Sequence, residues 1–199
     1  MILAGELLPG QKVNQIELAE KLKVSRIPLR EALSTLQAEG ILTHRRNSGY
    51  QVSRFSAEDL VEIYLMRRLL EAELLRTAEL GPAQAARLDE INAELRGVDP
   101  AVNPDRHQTL NHEFHYLLFD SSPLRLVREM VTRLWQLSGF YRSLYLHETS
   151  MAKRVVEEHE QLIEAVRAGD VAELLRISDE HRRGTEKLVV ERLGRSRPR

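Results

Sequence analysis

The chain has 199 residues, of which 42% are hydrophobic and 30% are charged, so it can form one or two folded domains with a well-solvated surface. The absence of Cys excludes disulfides, thiol catalysis and cysteine metal sites. No signal-peptide segment is recognisable, and no apolar run approaches the roughly 18 residues of a membrane span, which predicts a cytoplasmic protein with no membrane partner.

The net charge of −1 is divided unevenly along the chain. Residues 1–55 carry 8 Lys/Arg and 5 Asp/Glu, a net of +3, whereas the remainder carries 21 and 25, a net of −4. A basic head on an acidic body is typical of a nucleic-acid-binding module joined to a second domain. We therefore predict a head over 1–55, a body over 56–192 and a basic tail over 193–199.

Two helices separated by a tight turn are predicted in residues 13–42. The first begins at Asn14, which forms a capping pattern with Glu17. Its predicted apolar face consists of Ile16, Leu18, Ala19 and Leu22. The second has Ser25 as its N-cap, Pro28 in its first turn and Gly40 at its end. Its apolar residues recur every three or four positions, which predicts a buried face of Leu29, Ala32, Leu33 and Leu36.

The pattern then changes to that of a β-hairpin. Strand-forming residues flank Asn47-Ser48-Gly49, which predicts a turn between strands at about 41–46 and 50–54. Two helices followed by a hairpin form a winged helix-turn-helix. From Ser56 onward the pattern is helical and predicts an all-α six-helix bundle, so the whole chain is mainly α. The predicted body helices cover about 57–80, 83–96, 105–120, 123–145, 150–168 and 171–191.

The second head helix carries Arg26 and Arg30, four residues apart on the face that the apolar stripe leaves exposed. Arginines near the start of such a helix can reach guanine edges or phosphates in the major groove, and a basic wing can approach the DNA backbone. The alternative is a pair of ordinary solvated charges, but the helix-turn-helix context favours DNA binding. The predicted DNA-binding residues are Ser25, Arg26, Pro28, Arg30, Arg45, Arg46, Ser48 and Gly49.

Three of the seven histidines fall on apolar faces of three different body helices: His115, His159 and His181. Asn111 lies one turn before His115 on the same side of its helix. A buried neutral imidazole needs a partner, which is either a hydrogen bond in the core or a divalent metal. Imidazole suits Zn²⁺ and Ni²⁺ in particular. The pattern alone leaves both interpretations open.

Two arginines are candidates for a ligand pocket in the body. Arg67 can bind a carboxylate of a small ligand with both arms of its guanidinium, or it can form a salt bridge with Glu71 one turn later. Arg142, on the long fourth body helix, can line the same pocket. Glu113 and Glu158 neighbour two of the histidines in sequence but point away from them on their helices, so no general base is predicted and the protein is not expected to be an enzyme.

The head resembles that of the GntR family of bacterial transcription regulators. The resemblance rests on Gly5…Pro9-Gly10, Val24-Ser25-Arg26-x-Pro28-Leu29-Arg30-Glu31-Ala32-Leu33 and Glu39-Gly40. It implies that Arg26 and Arg30 contact operator DNA, with help from Ser25 and the wing around Gly49.

The body resembles the FCD ligand-binding domain of the FadR-like subgroup, through Arg67-x-x-Leu70-Glu71, Asn111-x-x-Phe114-His115, His159 and His181. This resemblance implies a divalent metal bound by the residues Asn111, His115, His159 and His181. It also implies a small carboxylate effector, a homodimer, and a repressor whose operator affinity the effector changes. The alternatives are a DNA-binding dimer without effector response and a three-His metalloenzyme.

Overall fold

The protein is described by a computed structural model that covers residues 6–46, 48–145 and 149–195. The chain divides into two compact units, the head, which ends at Ser56, and the body, which begins at Ala57. Within the described residues, no helix is both long and apolar enough to cross a bilayer.

The head begins with the helix-turn-helix pair α1 (Gln15–Leu22) and α2 (Arg26–Ala38). The Asn14 side-chain oxygen accepts hydrogen bonds from the backbone N–H groups of Ile16 and Glu17, at 3.1 and 3.4 Å, as its capping pattern predicts. Helix α1 is followed by the C-cap Lys23, whose φ of 54° is left-handed, and this allows the chain to turn into α2 within three residues.

The head core is formed mainly by α2 and the hairpin. Leu29 and Leu33 are buried as predicted, but Ala32 is exposed, so the predicted buried face was too wide. Helix α1 buries no residue completely, and Ile16 and Leu22 from its predicted apolar face are 59% and 49% exposed. A unit of this size has few fully buried positions, and other elements occupy them. The buried core residues are Val13, Leu29, Leu33, Leu42, Tyr50 and Val52.

The hairpin consists of β1 (Leu42–Arg45) and β2 (Gly49–Val52), paired antiparallel with Leu42 opposite Val52 and Arg45 opposite Gly49. Both strands are shorter than predicted. Gly49, expected in the turn, is the first residue of β2, where its φ of +76° favours glycine. Asn47, the first residue of the predicted turn, lies outside the described residues.

The described part of the body contains six helices, which confirms the mainly α prediction. They are α3 (Ala57–Thr77), α4 (Pro82–Arg96), α5 (Pro104–Asp120), α6 (Arg125–Tyr145), α7 (Thr149–Ala168) and α8 (Val171–Arg195). The N-cap Asn103 accepts a hydrogen bond from the backbone N–H of Arg106 at 3.2 Å, which fixes the start of α5. Helix α8 continues into the segment predicted as a tail, and residues 196–199 of that tail lie outside the described residues.

Helix packing places the three histidine-bearing helices next to the bundle core. Helix α3 packs against α6 and α8, α4 packs against α5 and α7, and α7 packs against α8. The core between them includes the fully or almost fully buried side chains Leu74, Leu88, Leu110, Phe114 and Leu162. Polar side chains that enter this core from α3, α5, α7 and α8 must therefore find partners there.

Candidate metal centre and DNA-binding surface

Helix α2 separates a packing face from an exposed basic face. Leu29 and Leu33 are buried against the head core, whereas Arg26, the first residue of α2, and Arg30 are both exposed. Ser25 occupies the predicted N-cap position, but its hydroxyl makes no capping hydrogen bond. Both arginines and the start of α2 are therefore accessible to a phosphate or a base edge.

The wing carries the remaining residues of the predicted DNA-binding set. Arg45 ends β1, Arg46 and Ser48 lie in the turn region, and all three are exposed. Pro28 is exposed in the first turn of α2. The structure thus leaves the predicted residues on the surface of the head, with Gly49 partly exposed at the start of β2.

In the body, His115 of α5, His159 of α7 and His181 of α8 converge. One ring nitrogen from each lies within 4.8 Å of the others. The Nε2 atoms of His115 and His159 are 3.3 Å apart. Two nitrogens bound tetrahedrally to zinc at its usual bond length lie roughly 3.3 Å apart, so this pair has the spacing of neighbouring ligands. His112, on the same helix as His115, is exposed and instead stacks on Tyr116.

Hydrogen bonds from outside the cluster orient two of the rings. His159 Nδ1 lies 3.2 Å from the side-chain oxygen of Asn92, whose amide nitrogen donates to the Val156 carbonyl at 3.1 Å. His181 Nδ1 lies 2.5 Å from a carboxylate oxygen of Glu158. If each Nδ1–H donates to its oxygen, the Nε2 lone pairs of both rings are available to the cluster, as in metal sites where a second residue holds each histidine.

The protonation of these groups suits metal binding. Burial, together with neighbouring positive charge, lowers the pKa of His115 and of His159 well below the ordinary value, so both rings are neutral at neutral pH. Burial alone would raise the pKa of Glu158, but the hydrogen bond with His181 holds it below its ordinary value. Glu158 is therefore an ionised acceptor. Glu158 was predicted to point away from its sequence neighbour His159, but it contacts another histidine of the cluster, His181, which comes from α8.

A small cavity of about 30 Å³ adjoins the cluster and is lined by His115, His181 and Asn111, the fourth predicted ligand. Such a volume holds one or two water-sized groups. The predicted pocket residues Arg67 and Arg142 also line it, as does Trp135. Both guanidinium groups lie over the Trp135 ring, with their central carbons 4.5 and 4.1 Å from its centroid.

Arg67 belongs to a buried ionic network centred on Glu71. The Glu71 carboxylate accepts hydrogen bonds from Arg67 at 2.7 Å, from the Trp135 indole N–H at 2.6 Å and from Arg182 at 3.1 Å. Burial would raise the pKa of Glu71, but Arg67 and Arg182 hold it below its ordinary value. The structure therefore shows the salt bridge predicted as one alternative for Arg67, and it also places Arg67 in the wall of the cavity.

Several residues of this site escape sequence reasoning. Asn92, Arg182, Ser138 and Tyr64 join the site from helices far apart in the chain. The one available signal was the position of Arg182 beside His181 in an inward-facing turn. Periodicity identifies which side of a helix is buried, but it does not identify the partner that a side chain meets there.

Comparison with known proteins agrees with this architecture. Residues 1–52 match the bacterial regulatory proteins of the gntR family, and residues 62–184 match the FCD domain. YdhC of Bacillus subtilis, an HTH-type transcriptional regulator, is 30% identical over 171 residues, covering 84% of this chain and 76% of YdhC. GlaR of Escherichia coli, an HTH-type transcriptional repressor, is 27% identical over 190 residues, covering 90% of this chain and 86% of GlaR.

The solved structure of E. coli McbR/YncC superposes with a TM-score of 0.79 at 24% identity, over 96% of this chain and 92% of that one, and shows a likeness in fold. A winged helix-turn-helix joined to a helical FCD domain is the architecture of a bacterial DNA-binding transcription regulator. The chain belongs to the GntR family, in its FadR-like subgroup with an FCD domain. Because the gntR family and these relatives are transcription regulators, the chain is a transcription regulator and not an enzyme.

Proposed function

We propose that the protein is a homodimeric repressor whose affinity for operator DNA changes when a small carboxylate binds at a divalent metal in the body. The observation that supports this proposal is the convergence of three imidazole nitrogens within 4.8 Å beside a cavity lined by arginines. A bacterial operator is part of the chromosome, which lies in the cytoplasm. A repressor that binds the operator therefore acts there.

The proposed metal ligands are His115, His159, His181 and Asn111. Neutral imidazoles favour Zn²⁺ or Ni²⁺, and the positions of Asn92 and Glu158 resemble the outer partners that hold histidine ligands in place. A bound metal of this kind supplies open coordination positions for a carboxylate oxygen. The neutral amide of Asn111 adds no negative charge to the site.

The proposed effector contacts are Arg67 and Arg142, which can each bind a carboxylate. A carboxylate that binds Arg67 competes with Glu71 for the same guanidinium. Because Arg67 lies on α3, the helix that follows the head in the chain, such competition changes how α3 is held against α6 and α8. The effector then shifts the population of head arrangements in the dimer that fit two half-sites of an operator.

An exposed apolar face supports dimerisation. Val61, Leu65 and Leu69 recur every four residues on α3, and Leu126 and Met130 do so on α6, with exposures between 44% and 64%. Helices α3 and α6 pack against each other, and large apolar side chains in such numbers are typical of protein interfaces. We assign this face, which we call the α3–α6 face, to contact with a second copy of the chain.

The proposed DNA contacts are Arg26 and Arg30 in the major groove and the wing residues Arg45 and Arg46 on the backbone, assisted by Ser25, Pro28, Ser48 and Gly49. The relative GlaR is described as a repressor, and for this reason we propose repression and not activation for this chain. A dimer that binds DNA without responding to an effector is the remaining alternative.

Elemental analysis and native mass spectrometry of the purified protein test the proposal. We expect a dimer with one divalent metal per chain, and an operator affinity that changes when carboxylates are added to the metal-loaded protein. An operator affinity that is the same with metal, after chelation and with every carboxylate tested would establish the alternative and refute effector control.

A further inference from the structure

The wall of the cavity carries more positive than negative charge. Three guanidinium groups line it, from Arg67, Arg142 and Arg182, but Glu71 is the one carboxylate among the lining residues. Glu71 pairs with Arg67 and Arg182, and Arg182 also pairs with Asp179 at 2.6 Å. Asp179 is shared with the exposed Arg183 at 2.8 Å, so two carboxylates face four guanidinium groups, three of which line the cavity.

Of the three arginines that line the cavity, Arg142 is the one whose charge is not balanced by a carboxylate of this network. Among the described residues it forms no ion pair, and it donates instead to the Ser138 hydroxyl at 3.3 Å and the Trp135 carbonyl at 3.4 Å. Arg67 donates to the same Ser138 hydroxyl, also at 3.3 Å. Two cations that converge on one neutral oxygen repel each other, so an anion between them would be stabilised by both. Burial and the charge of Arg67 lower the pKa of Arg142 to about 10, and it remains charged at neutral pH.

A buried hydroxyl group in the cavity wall also indicates a site for an anionic ligand. Tyr64 is 1% exposed and lines the cavity, yet its hydroxyl has no hydrogen-bond partner among the described residues. Arg67 lies over its ring, 5.0 Å from the centroid. Buried hydroxyls normally have a partner, and a ligand oxygen in this part of the cavity would supply one.

The opposite wall of the cavity adds to the positive charge once metal is bound. Its proposed ligands, three imidazoles and the amide of Asn111, are all neutral, and the carboxylate of Glu158, which holds His181, is also paired with Arg154. The Glu158–Arg154 pair adds no net charge, so the charge of the metal is not balanced by these residues. Together with Arg142 this leaves three positive charges at a small, partly open cavity. A ligand with one carboxylate compensates only one of them, and uncompensated buried charge is strongly unfavourable.

We propose that the effector is a small dicarboxylate. This inference rests on the proposed function and deepens it. One carboxylate binds the metal, and the second lies between Arg67 and Arg142 and accepts a hydrogen bond from the Tyr64 hydroxyl. Since the cavity measures only about 30 Å³, the two acid groups are joined by a short chain and the Arg142 side chain shifts to admit them.

Isothermal titration of the Zn²⁺-loaded protein with matched acids tests this inference. Malonate is compared with propionate and succinate with butyrate, so that each pair differs in one carboxylate on the same number of carbons. A charged hydrogen bond contributes roughly ten- to a hundredfold in affinity, so we expect at least one dicarboxylate to bind about tenfold or more tightly than its partner.

Two variants locate the second carboxylate. In Arg142→Gln and in Tyr64→Phe, the ratio of dicarboxylate to monocarboxylate affinity should fall toward one. Arg133→Gln, an exposed arginine on the same helix as Arg142, and Tyr116→Phe, a tyrosine that does not line the cavity, are matched controls and should keep the wild-type ratio. Metal content and melting temperature are measured beside each titration, because Tyr64→Phe should lose affinity without losing stability if the hydroxyl serves the ligand.

Equal binding of the matched acids, or an undiminished ratio in both variants, would overturn the dicarboxylate proposal. The proposed function would then still stand if monocarboxylates bind and need the metal to do so. Failure of all four acids to bind the metal-loaded protein would overturn both.

Discussion

Replacing His159 with glutamine should remove the stabilisation that Zn²⁺ gives the protein. His159 is completely buried, with its ring stacked on Phe114 at 3.8 Å and its Nε2 3.3 Å from His115. A ligand present at about 100 times its Kd stabilises the folded state by about 2.7 kcal/mol. In a chain of this size each kcal/mol raises the Tm by about 2–4 °C, so Zn²⁺ should raise the wild-type Tm by about 5–11 °C.

Scanning calorimetry of chelator-treated protein, with and without Zn²⁺, measures this difference in each variant separately, so any loss of stability caused by the substitution itself cancels. His112→Gln is the matched control, because His112 is an exposed histidine outside the cluster and should keep the full shift. A His159→Gln variant that retains the wild-type shift, or a full equivalent of bound metal, would refute the proposed centre.

Three other predictions address the head, the histidines and the dimer. Arg26→Ala and Arg30→Ala should each weaken operator binding by about 1–3 kcal/mol, measured by fluorescence anisotropy at physiological salt, because each removes a contact to a base or phosphate. Metal-free protein should lose stability as the pH falls below about 6.5, by up to about 1.4 kcal/mol per pH unit for each buried ring, in acid titrations followed by denaturant unfolding. His115 and His159 stay neutral in the folded state, so protons bind the unfolded chain preferentially, whereas above that pH they contribute no pH dependence. Leu69→Glu should shift the dimer toward monomer in analytical ultracentrifugation, because it places a charge in the α3–α6 face.

The arginine variants and the Leu69 variant each have a control of the same chemistry elsewhere on the molecule. Arg87→Ala removes an exposed arginine from α4 and should leave operator binding intact. Val102→Glu adds the same charge at an 80% exposed residue outside the α3–α6 face and should leave the dimer intact. Operator binding unaffected in both arginine variants would contradict the recognition-helix assignment, and a flat stability profile between pH 7 and 5 would contradict the neutral buried rings.

Much of the fold was predictable because glycine-containing pairs in the sequence mark breaks between its helices. Gly169-Asp170 separates α7 from α8 as predicted, and Gly81 precedes α4, which begins at Pro82. Helix α3 ends at Thr77, three residues before the predicted end at 80. Helix periodicity also placed His115, His159 and His181 on inward faces, and the structure brings them together. Periodicity depends only on neighbours along one helix, so it succeeds wherever burial on one side decides the outcome.

The predictions that failed have a common physical cause. Each depends on which residues of another element lie opposite the side chain. Glu158 is turned away from its neighbour His159, as the helix angle requires, but it meets His181 from α8. Ala32 shares the apolar stripe of α2, yet in the described part of the head it is exposed, because its neighbours pack elsewhere. The Glu71 network likewise joins three helices, of which the sequence indicated only the pair Arg67–Glu71.

Helix α3 has two faces with different proposed roles. Tyr64, Arg67 and Glu71 point into the cavity, whereas Leu65 and Leu69 lie on the opposite, exposed side in the α3–α6 face. Because a helix moves as a rigid unit, a ligand that rotates the cavity-facing side of α3 also rotates its exposed side. Under the proposed function, ligand binding and dimerisation are then linked, and each must change the other's free energy by the same amount. The apparent affinity for the effector should therefore depend on the protein concentration at which it is measured.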